Sequence, residues 1–71
     1  MALAVSKSMH GLRTGDKIEL HPDNSCRVRA FTIDSLDAER DTEDRWVKDA
    51  EGNTYRESHG YTITLLERKA A

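Results

Sequence analysis

Arg45-Trp46-Val47-Lys48-Asp49-Ala50-Glu51-Gly52-Asn53-Thr54-Tyr55-Arg56 decides the fold class of this chain. Two short runs rich in aromatic and β-branched residues flank a polar turn that contains glycine, and that arrangement is the local signature of a β-hairpin. The next apolar run, Tyr61-Thr62-Ile63-Thr64-Leu65, alternates with period two and marks a strand with one buried face. Upstream, Ile18 and Leu20 alternate with Lys17 and Glu19 in the same way. The breaker cluster His21-Pro22-Asp23-Asn24-Ser25 then ends that run, because proline fixes its own φ while Asp and Asn accept tight turns.

The pattern predicts five strands. They are Lys17 to Leu20, Cys26 to Leu36, Arg45 to Asp49, Thr54 to Glu57 and Tyr61 to Leu66. The second is unusual in that Val28 and Ala30 share one face while Phe31 and Ile33 share the other. A bulge near Ala30 is expected to bring both pairs inward and to bend the strand. The expected fold is all-β: a single five-stranded, partly open small barrel over residues 12–66, with a flexible N-terminal arm at 1–11 and a charged C-terminal tail at 67–71. The expected core is Leu12, Ile18, Leu20, Val28, Phe31, Ile33, Leu36, Trp46, Val47, Tyr55, Ile63 and Leu65.

Seventy-one residues make one domain, of which 37% are hydrophobic and 34% charged. That supports one thin core inside a well-solvated shell. The single cysteine, Cys26, forbids an internal disulfide, and small secreted domains usually depend on several. A reducing compartment, the cytoplasm, is the simplest expectation. No apolar run approaches the roughly 20 residues of a membrane-spanning helix, and Met1 to Val5 is too short for the core of an export signal.

Net charge is −2, without the basic surplus of a typical duplex-DNA binder. The charge is uneven. Residues 37–44 hold five acids and one base, a net of −4. Such a loop attracts basic protein surfaces and repels nucleic acid.

The Thr14-Gly15-Asp16-Lys17-Ile18 opening, the hairpin at Asp49 to Asn53 and the Ser58-His59-Gly60 link before the last strand resemble the SH3-like small barrels, in particular the KOW and Tudor-like modules. The expected function is that of a binding module, with no cofactor. The basic surplus of ribosomal KOW modules is missing, which counts against RNA. The order Trp-Val, Asp-x-x-Gly-Asn, Tyr-Arg and Gly-Tyr-Thr-Ile-Thr-Leu-Leu-Glu is also similar to short accessory proteins of actinobacterial phages. That similarity implies a small non-enzymatic protein acting inside an infected cell.

Catalytic and metal chemistry find little to work with. His10, His21, His59 and Cys26 are the soft ligands, and none forms the paired short spacing of a structural zinc site. Nucleophilic catalysis needs Ser or Cys beside a His that a third group orients, and Ser58 and His59 are sequence neighbours whose side chains tend to diverge. The expected site is therefore a protein-binding surface made of Asp37, Glu39, Asp41, Glu43 and Asp44 with an aromatic edge from Trp46, Tyr55 or Tyr61. The acids would steer a basic partner and a ring would anchor it. One of Trp46 and Val47 must face outward. Burial of Trp46 is the expectation where large side chains are so few, whereas an outward Trp46 would be the natural hot spot. Tyr55 and Tyr61 are expected at the rim with wet hydroxyls. Open sheet edges also allow a homodimer. The alternative is RNA or single-stranded nucleic acid, held by a strip of Lys17, Arg27, Arg29, Lys48 and Arg56 with Tyr55 or Tyr61 for stacking.

Overall fold

The computed structural model describes residues 4–39 and 44–68. They form a small all-β domain of seven strands: β1 (Ala4–Ser6), β2 (Lys17–Pro22), β3 (Arg29–Thr32), β4 (Ser35–Asp37), β5 (Trp46–Lys48), β6 (Thr54–Arg56) and β7 (Tyr61–Glu67). A 3-10 turn, Glu57–His59, joins β6 to β7. The strands make two antiparallel sheets, a four-stranded one in the order β1-β7-β2-β3 and a three-stranded one in the order β4-β5-β6.

The long strand expected over Cys26 to Leu36 is two strands, one in each sheet. The transfer happens at Ile33-Asp34. Ile33 exchanges backbone hydrogen bonds with the first sheet's approach, donating to Asp16 O and accepting from Gly15 N, each at 2.9 Å. The next residue, Asp34, donates instead to Lys48 O of the second sheet at 2.9 Å. Adjacent backbone groups point to opposite sides, so consecutive residues can serve two sheets without a break in the chain.

The bend therefore needs no bulge at Ala30. β3 pairs with β2 in unbroken register, Ile18 with Phe31 and Leu20 with Arg29. Val28 stays outside, 47% exposed, and is not a core residue. The irregularity lies on the other side of β2, where Lys17 faces Glu67 and Ile18 faces Leu65, leaving Leu66 as the extra residue. Extra residues of this kind increase local twist.

The core lies between the sheets. Ile18, Leu20, Ile33, Val47 and Ile63 are at most 2% exposed, and Tyr55 and Leu65 complete the cluster, with Leu12, Phe31, Leu36 and Tyr61 packed against it. Met9 belongs to it as well, fully buried. The described part of the segment expected as a flexible arm, residues 4–11, is thus a working part of the fold. Ala4–Ser6 pairs with β7, and Met9 closes the end of the core. The backbone N–H of Met9 donates to the carboxylate of Glu57, itself buried. At the other terminus, β7 runs through Glu67, and Arg68 is tied to Asp16. Among the described residues, no helix is long and apolar enough to cross a membrane.

Candidate functional site

The register of the small sheet determines which aromatic group meets solvent. Val47 on β5 pairs with Tyr55 on β6 and Leu36 on β4, and all three point to the core. Period-two alternation then sends Trp46 and Lys48 to the outer face. Val47 is wholly buried and Trp46 half-buried, which corrects the expectation that Trp46 anchors the interior.

On that outer face Trp46 stands in the middle of a rung, with Asp37 on one side and Arg56 on the other. The next rung is Ser35, Lys48 and Thr54. Lys48 Nζ sits 5.4 Å from the centroid of the Trp46 ring. An ammonium over an indole face is attracted by the ring quadrupole. The result is an aromatic plate bordered by charge of both signs, able to take an apolar side chain on the ring and to read charge at its rim.

The expected acidic-aromatic surface is divided. Asp37 lies directly beside Trp46, and Asp44 and Glu39 are exposed near the ends of β5 and β4. Asp41 and Glu43 lie outside the described residues. Tyr55 and Tyr61 belong to the opposite side of this sheet. Tyr55 is 9% exposed, and its hydroxyl is not wet but donates to Asp49 Oδ2 at 3.1 Å. Its ring stacks on Phe31 at 4.9 Å between centroids and meets Tyr61 edge-on at 6.4 Å.

The expected basic strip does not assemble either. Lys17 emerges from the outer face of the large sheet, opposite Glu67. Lys48 and Arg56 flank Trp46. Arg29 pairs with Leu20 and so projects from the inner face of β3, at the end of the sheet, where it and Arg27 border a groove of about 200 Å³ beside Tyr55 and Tyr61. The five residues occupy three separate places.

Asp49 organises the hairpin. One carboxylate oxygen accepts from the backbone N–H groups of Glu51 and Asn53 at 2.9 and 3.0 Å, and the other accepts from Asn53 Nδ2 and the Tyr55 hydroxyl, both at 3.1 Å. Burial alone would raise its pKa, but these donors outweigh it and hold Asp49 below the ordinary carboxylate value. Tyr55 moves the other way: burial, the hydrogen bond to Asp49 and the charge of Asp49 raise its pKa against the opposing guanidinium of Arg29.

Among the described residues, no three His, Cys, Asp or Glu side chains converge as a metal cluster, and Cys26 is an exposed thiol. No protein-family model, curated protein or solved structure matches the chain. Sequence reasoning missed three functional supports: Met9, Glu57 and Arg68. None carries a local signal, since each acts on a residue remote in the chain.

Proposed function

We propose that this chain is a non-catalytic binding module that works by protein–protein contact, with Trp46 as the anchor and Asp37, Glu39 and Asp44 as the steering acids for a basic partner. The observation that carries this reading is the placement of Trp46 on the outer face of the small sheet, between Asp37 and Arg56. A half-buried indole with a charged rim has the composition of a hot spot, where a large amphipathic ring contributes most of the contact energy and the rim excludes water. In fold, the proposal is an SH3-like, partly open small barrel. Two features support it: the strand that passes from one sheet to the other at Ile33-Asp34, and the 3-10 turn before the last strand. The exposed, unpaired Cys26 is consistent with a bacterial cytoplasm, the setting of a phage accessory protein.

Trp46 is the sole tryptophan, so its fluorescence reports on this face directly. Affinity capture from an actinobacterial lysate, run in parallel with wild-type chain and Trp46→Ala, tests the reading. A protein retained by the wild type, lost with the variant, and shifting Trp46 emission when purified and added back supports it. Recovery of nucleic acid alone, or a protein bound equally by both chains, overturns it. The nucleic-acid alternative has less behind it, because its five basic side chains occupy three places and only Arg27 and Arg29 lie together beside Tyr55 and Tyr61.

A further inference from the structure

β3 ends the large sheet, so among the described residues one side of its backbone has no neighbouring strand. Edges of this kind invite another strand unless they are covered or charged. Beside this edge lies a cleft of about 420 Å³ that runs from Arg29 and Phe31 to the hairpin residues Asp49 and Glu51. At the Arg29 end it meets the smaller groove of Arg27, Tyr55 and Tyr61. Phe31 and Tyr55 line the cleft, Tyr55 and Tyr61 line the groove, and the three rings pack in sequence. Val28, 47% exposed, sits on the outer side of the same strand's approach.

The charges along this cleft are polarised. Arg27 and Arg29 are exposed, and among the described residues neither makes an ion pair with an acid. At the far end Glu51 is exposed, while the Asp49 carboxylate is already filled by four donors. Arg27 and Arg29 both line the groove beside Tyr55 and Tyr61, so a chain added along β3 would present side chains to both guanidinium groups.

We propose that the free edge of β3 binds an extended acidic peptide by strand addition, with Arg27 and Arg29 holding carboxylates and the Phe31, Tyr55 and Tyr61 rings taking the aliphatic parts. The outward side chains of the added strand lie beside Val28 and are apolar. Acidic residues are placed at the Arg27 end, because Glu51 repels them at the other. Charge complementarity selects this occupant over a second copy of the chain, whose own β3 would bring like guanidinium groups together. This surface is on the opposite side of the small sheet from Trp46 and does not depend on it.

The test titrates the isotope-labelled chain with a short peptide of alternating Glu and Val, with its Lys-Val counterpart, and with oligothymidylate. The proposal expects the Glu-Val peptide to move the amide signals of residues 27–32 and to leave those of 46–48 in place. It expects the Lys-Val peptide to bind at least about tenfold more weakly, and Arg27→Glu with Arg29→Glu to lose about tenfold or more in affinity. Should the double variant lose its dispersed spectrum, Arg27→Gln alone, at an exposed loop position, serves in its place with a smaller loss in the same direction. Unmoved signals at 27–32, equal binding of the Lys-Val peptide, or tighter binding of oligothymidylate at these residues each overturns the proposal. The last of these assigns the groove to nucleic acid. Because residues 46–48 are read in the same spectra, failure here is distinguishable from failure of the Trp46 reading.

Discussion

Arg68 holds Asp16 with two parallel hydrogen bonds, Nε to Oδ1 at 3.2 Å and Nη2 to Oδ2 at 2.9 Å, across fifty-two positions of sequence. The same guanidinium donates to Gly11 O at 2.9 Å, and Asp16 also accepts from Arg13 N at 2.9 Å. Asp16 is 1% exposed. This fork-on-fork clamp fastens the end of β7 to the turn that launches β2, and planar bidentate geometry of this kind is specific to arginine.

Removing that carboxylate is expected to be costly. Asp16→Ala leaves the Arg13 N–H and the Arg68 fork without their acceptor, and should lower stability by about 2–4 kcal/mol. Arg68→Lys should not rescue Arg68→Ala fully, since an ammonium cannot span both oxygens. Chemical denaturation of the three variants beside wild type checks both statements.

The pH dependence follows from the same contact. Burial by itself raises the pKa of Asp16, but the Arg68 hydrogen bonds, the Arg13 N–H and the positive charges of both arginines outweigh it and hold it below the ordinary value. Asp49 is lowered likewise by its own donors. A carboxylate whose folded pKa is depressed stabilises the fold above its unfolded pKa and loses that contribution as pH falls through the folded value. Stability should therefore fall below about pH 4, and less steeply in Asp16→Asn than in wild type. Denaturant midpoints measured at pH 7, 4 and 3 give the comparison.

At the alkaline end Tyr55 is the informative group. Its pKa is raised, so its contribution is present below the unfolded value, about 10, and is lost as pH climbs through the folded one. An ultraviolet titration should find a phenol that ionises late in wild type and is missing in Tyr55→Phe. That substitution also removes the hydrogen bond to Asp49 and should cost about 1 kcal/mol.

Met9→Ala should behave as a core truncation, costing about 2–4 kcal/mol, although the residue lies in a segment with no apolar periodicity. Val47→Ala should cost about 2 kcal/mol, while Trp46→Ala, next to it, should cost less because the indole is only half-buried. If Trp46→Ala proves the more damaging of the two in thermal unfolding, the assigned facing of β5 is wrong.

Gly60 is a geometric test. It sits at φ 84°, and a Cβ there would approach Asp23 Oδ2 to 2.9 Å. Asp23 is also the partner of Lys7 at 2.9 Å, and its N–H donates to Gly60 O. Gly60→Ala should lower stability by about 1–2 kcal/mol through backbone strain and displacement of Asp23. Gly11→Ala has open space around its Cβ and should cost less, with only its positive φ to oppose it.

Local order in the chain was enough to reveal the β class, the hairpin at Asp49 to Asn53 and the inward pair Ile18 and Leu20. Those features depend on period-two alternation and turn chemistry, which are properties of neighbouring residues. Strand count, the facing of Trp46 and Val47, and the roles of Met9, Glu57 and Arg68 were settled by three-dimensional packing. Each hangs on a partner many residues away: Val47 is inward because Leu36 and Tyr55 flank it, and Arg68 is ordered because Asp16 waits buried beside it. Alternation predicts that one of two adjacent residues points inward, but only the volume between the sheets selects which.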